Sequence, residues 1–316
     1  MPVVKLSYPE YLPALLRQLP QGQFRWGEYT FAINDTSVTS CDYWVVYNNV
    51  LQTETIQCPA SNTVFMSGEP ETVYTYPERF LAQFYQVASC QPNMPHEHAI
   101  LSLTGQTWFV EKSFDELIAM PAVTKEKRIS VLCSDKQFTP GHKQRYQFVR
   151  QLKQHFGDQL EWFGRGVQDF KDKWDVLAPY EFSIAIENSV YPHYLSEKIS
   201  DCFLAYTVPL YFGAPNVSKY FDPQSYIQID LYNIQKTIDV IDNVLTTPNS
   251  YQDRVAALGK ARDQYLHQYQ FFPLIVSILE GLPAGAPKTT VIIKPESAFS
   301  VKKYMKKQVK RLLGRT

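Results

Sequence analysis

Short apolar runs alternate with amphipathic helical patterns along this chain, and this alternation most constrains its fold. In the second half, β-like runs lie at 129–134, 160–164, 182–188, 209–214 and 225–230. Helical patterns separate several of them, at 141–157, 195–206 and 232–246. Strands that alternate with helices favour an α/β layer structure around a largely parallel sheet. The order strand, helix, strand is typical of a doubly wound domain.

The first half shows a looser version of the same pattern. Its β-like runs lie at 29–33, 43–50, 62–67 and 98–103, and a helical pattern covers 76–89. A chain of 316 residues fits two domains of roughly 150 residues each. The polar connector "PAVTKEKR" at 121–128 precedes a fresh apolar run. We therefore predict an N-terminal domain over 1–125, a second domain over 126–280, and a linker with a C-terminal helix over 281–316.

Several function classes are disfavoured by motifs that the sequence lacks. No Gly-x-Gly-x-x-Gly follows a predicted first strand and no Walker loop occurs, which disfavours a nicotinamide dehydrogenase and a P-loop ATPase. The five cysteines include no Cys-x-x-Cys pair, so we expect free thiols in a reducing compartment and no metal centre. The first 20 residues lack the pattern of a secretion signal. We expect a cytoplasmic protein.

The net charge of zero hides an asymmetry along the chain. Seven of the 31 Lys and Arg residues lie in 301–316, "VKKYMKKQVKRLLGRT", which has no acidic residue. The rest of the chain is mildly acidic and has no stripe of interleaved basic and aromatic residues, so we expect no nucleic-acid partner. The tail predicts a basic amphipathic helix, which can lie on an anionic membrane at its inner face. Docking of its apolar side on the protein body is the alternative.

Polar side chains cluster where the apolar run 182–188 ends. Glu187 and Asn188 close the predicted strand, and Glu197 and Lys198 open the next helix. Ligands of open α/β sheets bind beyond the carboxyl ends of strands, where helix N-termini attract anions. A lysine at that place can reach a phosphate, and a neighbouring carboxylate can bind sugar hydroxyls. The pattern indicates a nucleotide diphosphate site, with helix capping and a surface ion pair as the alternative.

A resemblance makes this interpretation specific. The stretch "FSIAIENSVYPHYLSEKISDCFLAYTVPLYFGAPNVSKYFDPQSYIQID" resembles the donor-binding signature of the α1,3/α1,4-fucosyltransferases, glycosyltransferase family 10. Upstream, "ISVLCSDKQFTPGHKQRYQFVRQLKQHFGDQLEWFGRG" is similar to the family segment in which an arginine opens the helix. In the first half, "TVFMSGEPE" resembles the strand that carries the family's proposed catalytic carboxylate. The resemblance implies a GT-B fold, with two Rossmann-like α/β/α domains that face each other across a cleft. It assigns the acceptor side to the N-terminal domain over 1–125 and GDP-sugar binding to the C-terminal domain over 126–280.

By position, the resemblance also implies roles for particular residues. Glu69 is the expected general base, with Glu71 as the alternative, and Glu197 is expected to favour the electron-poor sugar ring in the transition state. Four further residues are expected to hold the donor: Arg145, Asn188, Tyr194 and Lys198. Of these, Arg145 and Lys198 are expected to bind its diphosphate.

Arg165, in the segment "FGRG" that follows the predicted strand 160–164, is a further candidate from its position at a strand end. A surface turn is the alternative there.

The resemblance implies an inverting transfer of L-fucose from GDP-fucose to a hydroxyl of a glycan, in an α1,3-type linkage, without a metal or other cofactor. The acceptor is expected to belong to protein glycosylation or lipopolysaccharide synthesis. Two alternatives remain open. One is a related GT-B transferase that uses another nucleotide sugar. The other is a non-catalytic glycan-binding or scaffold protein of the same fold, although such a binder has no need of cations for a diphosphate.

Overall fold

A computed structural model describes residues 1–137 and 140–299. The chain divides into two compact units. The first unit combines Met1–Thr104 with the segment that begins at Phe272, and the second unit is Gly105–Phe271. The predicted basic helix at 301–316 lies outside the described residues.

The first unit is built on a seven-stranded sheet with the order β2-β3-β1-β4-β6-β7-β8. All neighbours pair in parallel except β2 and β3. The sheet's apolar side chains, such as Val46 and Phe65, are buried in the core. The strands and helices of Met1–Thr104 are β1 (Val3–Ser7), α1 (Leu12–Leu16), β2 (Arg25–Trp26), β3 (Tyr29–Ile33), β4 (Tyr43–Tyr47), β5 (Glu54–Pro59), β6 (Thr63–Met66), α2 (Glu78–Leu81), β7 (Gln86–Ser89) and β8 (Ala99–Leu101).

The helix predicted over 76–89 is wrong for most of its length. Only α2 is helical, and the chain then forms β7, which pairs with β6 and β8. Tertiary pairing overrides the helical pattern here, because the apolar run containing Val87 and Ala88 fills a gap in the sheet between two strands. The aromatic residues before it, Phe80 and Phe84, pack on Phe65.

The second unit contains a five-stranded parallel sheet with the order β10-β9-β11-β12-β13. Its strand order reverses between β9 and β11, which makes this the topological switch point of the sheet. The predicted strands and the three predicted helices of this half are all present. The elements are α3 (Phe114–Ala119), β9 (Lys127–Leu132), α4 (Pro140–Phe156), β10 (Leu160–Phe163), α5 (Lys173–Leu177), β11 (Tyr180–Ile186), α6 (Glu197–Leu204), β12 (Val208–Phe212), β13 (Ile227–Gln228), α7 (Ile234–Thr246) and α8 (Val255–Gln264).

After Phe271 the chain returns to the first unit through α9 (Phe271–Leu279) and β14 (Lys288–Ile293). β14 pairs antiparallel with β5 over six residue pairs. β14 lies in the stretch predicted as a linker, whereas α9 lies in the stretch assigned to the predicted second domain, and from Phe272 onward both belong to the first unit. This pairing joins residues more than 200 positions apart, so local sequence patterns do not reveal it.

The boundary between the units also differs from the predicted position after residue 125. Residues from Gly105 onward pack on the second unit, where the Trp108 ring lies against Tyr265. The backbone N–H of Phe109 donates to the carboxylate of Asp201. The first unit therefore ends at Thr104.

Candidate active site

A cavity of about 200 Å³ lies at the carboxyl edge of the five-stranded sheet in the second unit. Residues that follow β9 and β10, together with the end of β11, form its walls. This is the switch point of the sheet, where open α/β sheets bind their ligands. Its charged lining residues are Arg145, Arg165, Lys173, Glu197, Lys198 and Asp201.

Glu187, the first residue after β11, braces the start of helix α6. Its side chain is fully buried and accepts hydrogen bonds from the backbone N–H of Ser196 at 2.9 Å and from its hydroxyl at 2.5 Å. Burial raises the pKa of Glu187, while Lys198, whose Nζ lies 3.5 Å from Oε2, opposes that rise. The carboxylate therefore ties the strand end to the helix start.

Lys198 sits at the centre of the polar cluster. Besides Glu187, its Nζ contacts the Ser196 hydroxyl at 3.1 Å and Glu197 Oε1 at 3.2 Å. Ser196 also caps the helix by accepting from the backbone N–H of Lys198. The ammonium group is thus fixed beside the first turn of α6, where the helix dipole adds to its attraction for anions.

Glu197 is held by a second lysine that the sequence reasoning did not identify. Lys173, at the start of α5, places its Nζ 3.5 Å from Glu197 Oε1 and 2.8 Å from Asp201 Oδ2. Burial by itself raises the pKa of Glu197, but Lys198 and Lys173 together lower it to about 2. Glu197 is therefore an anion at neutral pH.

One signal for Lys173 was available in the sequence. Glu197 and Asp201 are four residues apart on α6, so they lie on the same face of the helix. Asp201 is buried, and burial raises its pKa, which Lys173 counteracts. Two acidic side chains buried on one helix face need a nearby cation to offset the cost of burying their charges. The sequence alone does not say which residue supplies that cation.

Arg145 enters the cavity from helix α4. Arg145 is 7% exposed, and its guanidinium nitrogen Nη1 donates to the side-chain oxygen of Asn188 at 2.5 Å. Its Nε has no hydrogen-bond partner within residues 1–137 and 140–299. A buried donor without a partner is costly, and an anionic ligand in this cavity can satisfy it.

The other predicted donor residues occupy different positions. Arg165 lines the cavity with an exposed side chain, and its backbone carbonyl accepts from the N–H of Asp135. Asn188 orients Arg145 but is not among the residues that line the cavity. Tyr194 is 2% exposed and does not line it either.

Glu69 and Glu71 lie in the first unit, in the loop that follows β6. Glu69 is half-buried, and its backbone carbonyl accepts from Gln91 Nε2 at 2.9 Å. The loop is anchored further by the N–H of Gly68, which donates to Asn48 Oδ1 at 2.7 Å. Glu71 is exposed. The structure therefore holds the backbone at Glu69 in a defined position.

Comparison with known proteins identifies part of the chain. Residues 122–255 match the family described as Glycosyltransferase family 10 (fucosyltransferase) C-term. This segment of the second unit is therefore similar to a glycosyltransferase family 10 domain. It contains the whole cavity lining of the second unit, and the resemblance seen in the sequence is confirmed.

Curated relatives align with shorter segments. An Alpha-(1,3)-fucosyltransferase FucT of Helicobacter pylori is 37% identical over 84 residues, which cover 26% of this chain and 18% of that protein. A GDP-fucose protein O-fucosyltransferase 3 of Danio rerio is 31% identical over 98 residues, 26% of this chain and 21% of the relative. The chain thus spans about a fifth of the length of these relatives.

Solved structures extend the likeness in fold beyond the family 10 domain. A crystal structure of α1,3-fucosyltransferase matches with a TM-score of 0.52 at 17% identity, and covers 89% of this chain and 90% of its own. A crystal structure of α1,3-fucosyltransferase with GDP-fucose matches with the same coverage and identity and a TM-score of 0.51. The predicted α/β class, with two Rossmann-like units of the GT-B kind, is confirmed.

Within residues 1–137 and 140–299, no group of three or more His, Cys, Asp and Glu side chains could hold a metal ion. Over the same ranges, none of the helices has the length and apolar character needed to cross a membrane.

Proposed function

We propose that this chain is an inverting glycosyltransferase that transfers L-fucose from GDP-fucose to a hydroxyl of a glycan, in an α1,3-type linkage. One observation carries the proposal: Arg145 and Lys198 both line the switch-point cavity within the segment that matches family 10. Within the described ranges, the Nε of Arg145 has no hydrogen-bond partner. Two fixed cations in such a cavity suit a diphosphate.

The donor half of the mechanism depends on charge. Arg145 and Lys198 would bind the diphosphate and stabilise the negative charge that grows on it as the bond from the sugar's anomeric carbon to the phosphate oxygen breaks. Glu197 stays ionised beside them. Its carboxylate would stabilise the positive charge that develops on the sugar ring in an oxocarbenium-like transition state. GDP then leaves with the electron pair of the broken bond.

The acceptor half requires a base. Glu69, with Glu71 as the alternative, would take the proton of the acceptor hydroxyl as its oxygen forms the new bond to the anomeric carbon. The attack comes from the face opposite GDP, so the configuration at that carbon inverts. In this scheme Arg145 and Lys198 supply the charge neutralisation for which other transferases use a divalent cation, and no cofactor is needed.

Nucleotide binding tests the donor assignment. The protein is titrated with GDP, GDP-fucose, UDP-glucose and CMP-sialic acid, with thermal shift and nucleotide release as readouts and with EDTA in a parallel series. We expect stabilisation by GDP and GDP-fucose that survives EDTA, since a ligand at about 100 times its Kd adds about 2.7 kcal/mol. A preference for UDP-glucose contradicts the fucose assignment, and a lack of nucleotide binding favours the scaffold alternative.

The basic segment 301–316 supports a second part of the proposal, a contact with anionic membranes at the inner face of the cytoplasmic membrane. Its seven basic residues would each gain about 1 kcal/mol near an anionic surface. Co-sedimentation with vesicles that contain phosphatidylglycerol, compared for the whole chain and for a chain that ends at residue 299, tests it. Equal binding of both proteins contradicts the membrane contact.

A further inference from the structure

The loop after β6 in the first unit runs over residues 67–77 and ends where α2 begins. Its tip, residues 71–73, is exposed to solvent. Inside the loop, the N–H groups of Val73 and Tyr74 donate to the carbonyl of Pro70 at 2.9 and 3.0 Å and close a turn. A single turn does little to offset the conformational entropy of so long a loop. The loop therefore depends on contacts with other segments to keep one conformation.

One of these contacts comes from the far end of the described chain. A short 3-10 turn at Glu296–Ala298 follows β14, and Glu296 is 5% exposed. Its side-chain carboxyl group accepts a hydrogen bond from the Tyr74 hydroxyl, and its backbone N–H donates to Asn49 Oδ1 at 3.0 Å. A carboxyl group buried this deeply needs a hydrogen-bond partner. The bond to Tyr74 therefore fastens the loop to the C-terminal turn.

The side chain of Gln91 joins Tyr74 to Glu69. Gln91 is 6% exposed, and its Nε2 donates to the carbonyl of Tyr74 and to the carbonyl of Glu69, each at 2.9 Å. An amide nitrogen carries two N–H groups, so both bonds form at once. The Ser67 hydroxyl donates to the same Glu69 carbonyl at 3.1 Å. One buried amide thus links the residue that Glu296 holds to the backbone of Glu69.

Aromatic rings connect the C-terminal turn to the other end of the loop. The ring of Phe299, directly after the turn, lies 6.2 Å from the ring of Phe80, which stacks on Tyr76 at 6.2 Å. The Tyr76 hydroxyl donates to Asn48 Oδ1 at 3.0 Å. The Tyr76 ring also lies 4.8 Å from that of Tyr74. The turn and the residue after it therefore support the loop at two places.

We propose that Glu296 is a positioning residue for the general base, a role that rests on the proposed function. Through Tyr74 and Gln91 it holds in one conformation the loop that carries Glu69 and its alternative, Glu71. A general base has to lie within about 3 Å of the oxygen whose proton it takes. A loop that moves would keep the base there for only part of each turnover. Glu296 thus acts on the rate of transfer, while GDP binds in the second unit.

Variants of the Glu296–Tyr74 contact test the inference on the whole chain. Glu296→Ala removes the acceptor of the Tyr74 hydroxyl, Glu296→Gln keeps a side-chain oxygen there, and Tyr74→Phe removes only the hydroxyl. Gln57→Ala is the matched control, because Gln57 Nε2 donates to Thr290 in β14 of the same C-terminal segment, at 2.8 Å.

Three quantities are measured on each variant. Hydrogen exchange, followed by mass spectrometry, reports on the backbone N–H groups of residues 67–77 without any need for turnover. Release of GDP from GDP-fucose, with N-acetyllactosamine and with water as the acceptor, gives kcat and KM. Calorimetry gives the affinity for GDP.

We expect hydrogen exchange in the loop to become about tenfold faster in Glu296→Ala and in Tyr74→Phe, in line with the loss of one hydrogen bond. Their kcat should fall about threefold to tenfold, at an unchanged KM for GDP-fucose. The double variant should be no worse than the single ones, because both remove the same contact. Glu296→Gln should restore most of the protection and of kcat. Gln57→Ala should match the parent in all three measurements.

Several results overturn the inference. Exchange in the loop is parent-like in both Glu296→Ala and Tyr74→Phe, or it is faster while kcat is unchanged. Glu296→Gln behaves like Glu296→Ala, or Gln57→Ala loosens the loop equally. Failure of the proposed function has a different signature. In that case the parent releases no GDP from GDP-fucose, while exchange in the loop still depends on Glu296, so the contact stands and the role of the base falls.

Discussion

The two units of this chain each have a cavity at the switch point of a parallel sheet, but the two cavities differ in charge. In the second unit, Arg145, Arg165, Lys173 and Lys198 line the cavity against two acids. In the first unit, Lys5, the single lysine that lines the cavity, is paired with Glu54, the single acid. The same sheet topology thus leaves a cavity at the switch point of both units, and the side chains at the strand ends decide the charge of each cavity.

Substitution of Lys198 tests the cationic side of this comparison and should have the largest effect on ligand binding. Lys198→Ala removes the ammonium group beside the α6 N-terminus, and we expect GDP affinity to fall about 50-fold, close to 2.3 kcal/mol for the loss of a charged contact. Calorimetry with GDP measures it. Lys127→Ala, which removes an exposed lysine paired with Glu161 on the same sheet, is the control. Parent-like GDP binding by Lys198→Ala would show that this cavity is not the diphosphate site.

Substitution of Lys173 separates the positioning of Glu197 from the binding of phosphate. Lys173→Met leaves Glu197 and Asp201 without their shared cation, so we expect the free energy of unfolding to fall by about 3 kcal/mol at neutral pH. Urea titrations measure it. Lys171→Met, two residues away and exposed, should have almost no effect.

The sign of the pH dependence follows from the two acids. In the parent, the lowered pKa of Glu197 adds stability that is present above the ordinary value of 4.5 and is lost as the pH falls towards about 2. Without Lys173, burial raises the pKa of both acids, so the folded variant takes up protons as the pH falls. The difference from the parent should therefore shrink between about pH 7 and about pH 5. A difference that grows on acidification argues against this pairing.

A glycine near each cavity tests how tightly the strand ends are packed. A Cβ at Gly213, just after β12, would lie 2.4 Å from Glu187 Cγ, and one at Gly68 would lie 2.1 Å from the hydroxyl oxygen of Tyr47. We expect Gly213→Ala to lower the free energy of unfolding by about 2 kcal/mol because it displaces Glu187. Gly259→Ala in α8, whose nearest contact would be 3.6 Å, should be neutral or stabilise by up to about 1 kcal/mol. Equal melting temperatures for the two variants would contradict this packing.

Neutralising Glu54 should have the smallest effect on stability. It would also give the first-unit cavity a net positive charge and so make it more like the cavity of the second unit. Glu54→Gln leaves Lys5 with a net charge, and we expect a loss of about 1 kcal/mol in stability and the appearance of weak phosphate binding. Phosphate titrations followed by NMR measure it, with Glu161→Gln as the control for a lost surface ion pair. If Glu54→Gln binds no more phosphate than the parent, the ion pair is not what sets the charge of this cavity.

Sequence patterns predicted the second unit well, because each of its strands is a local apolar run bounded by turn residues. They predicted the first unit less well, since β1, β5 and β14 were not identified and β7 was taken for part of a helix. β1 carries Lys5 in its centre, which breaks the apolar pattern, and the strand is buried because that lysine pairs with Glu54 and donates to the Asp35 carbonyl. β14 depends on a partner strand from the far end of the sequence.

The alternation of strands and helices and the local part of the cavity in the second unit follow from the sequence alone. Glu187, Ser196, Glu197 and Lys198 lie within 12 residues, so a strand end and a helix start bring them together without help from the rest of the chain. The tertiary structure decided what surrounds them. Lys173 reaches Glu197 only because α5 packs beside α6, and Asn188 meets Arg145 only across the sheet edge. Contacts between distant segments depend on how the elements pack, and a local sequence pattern carries no information about that packing.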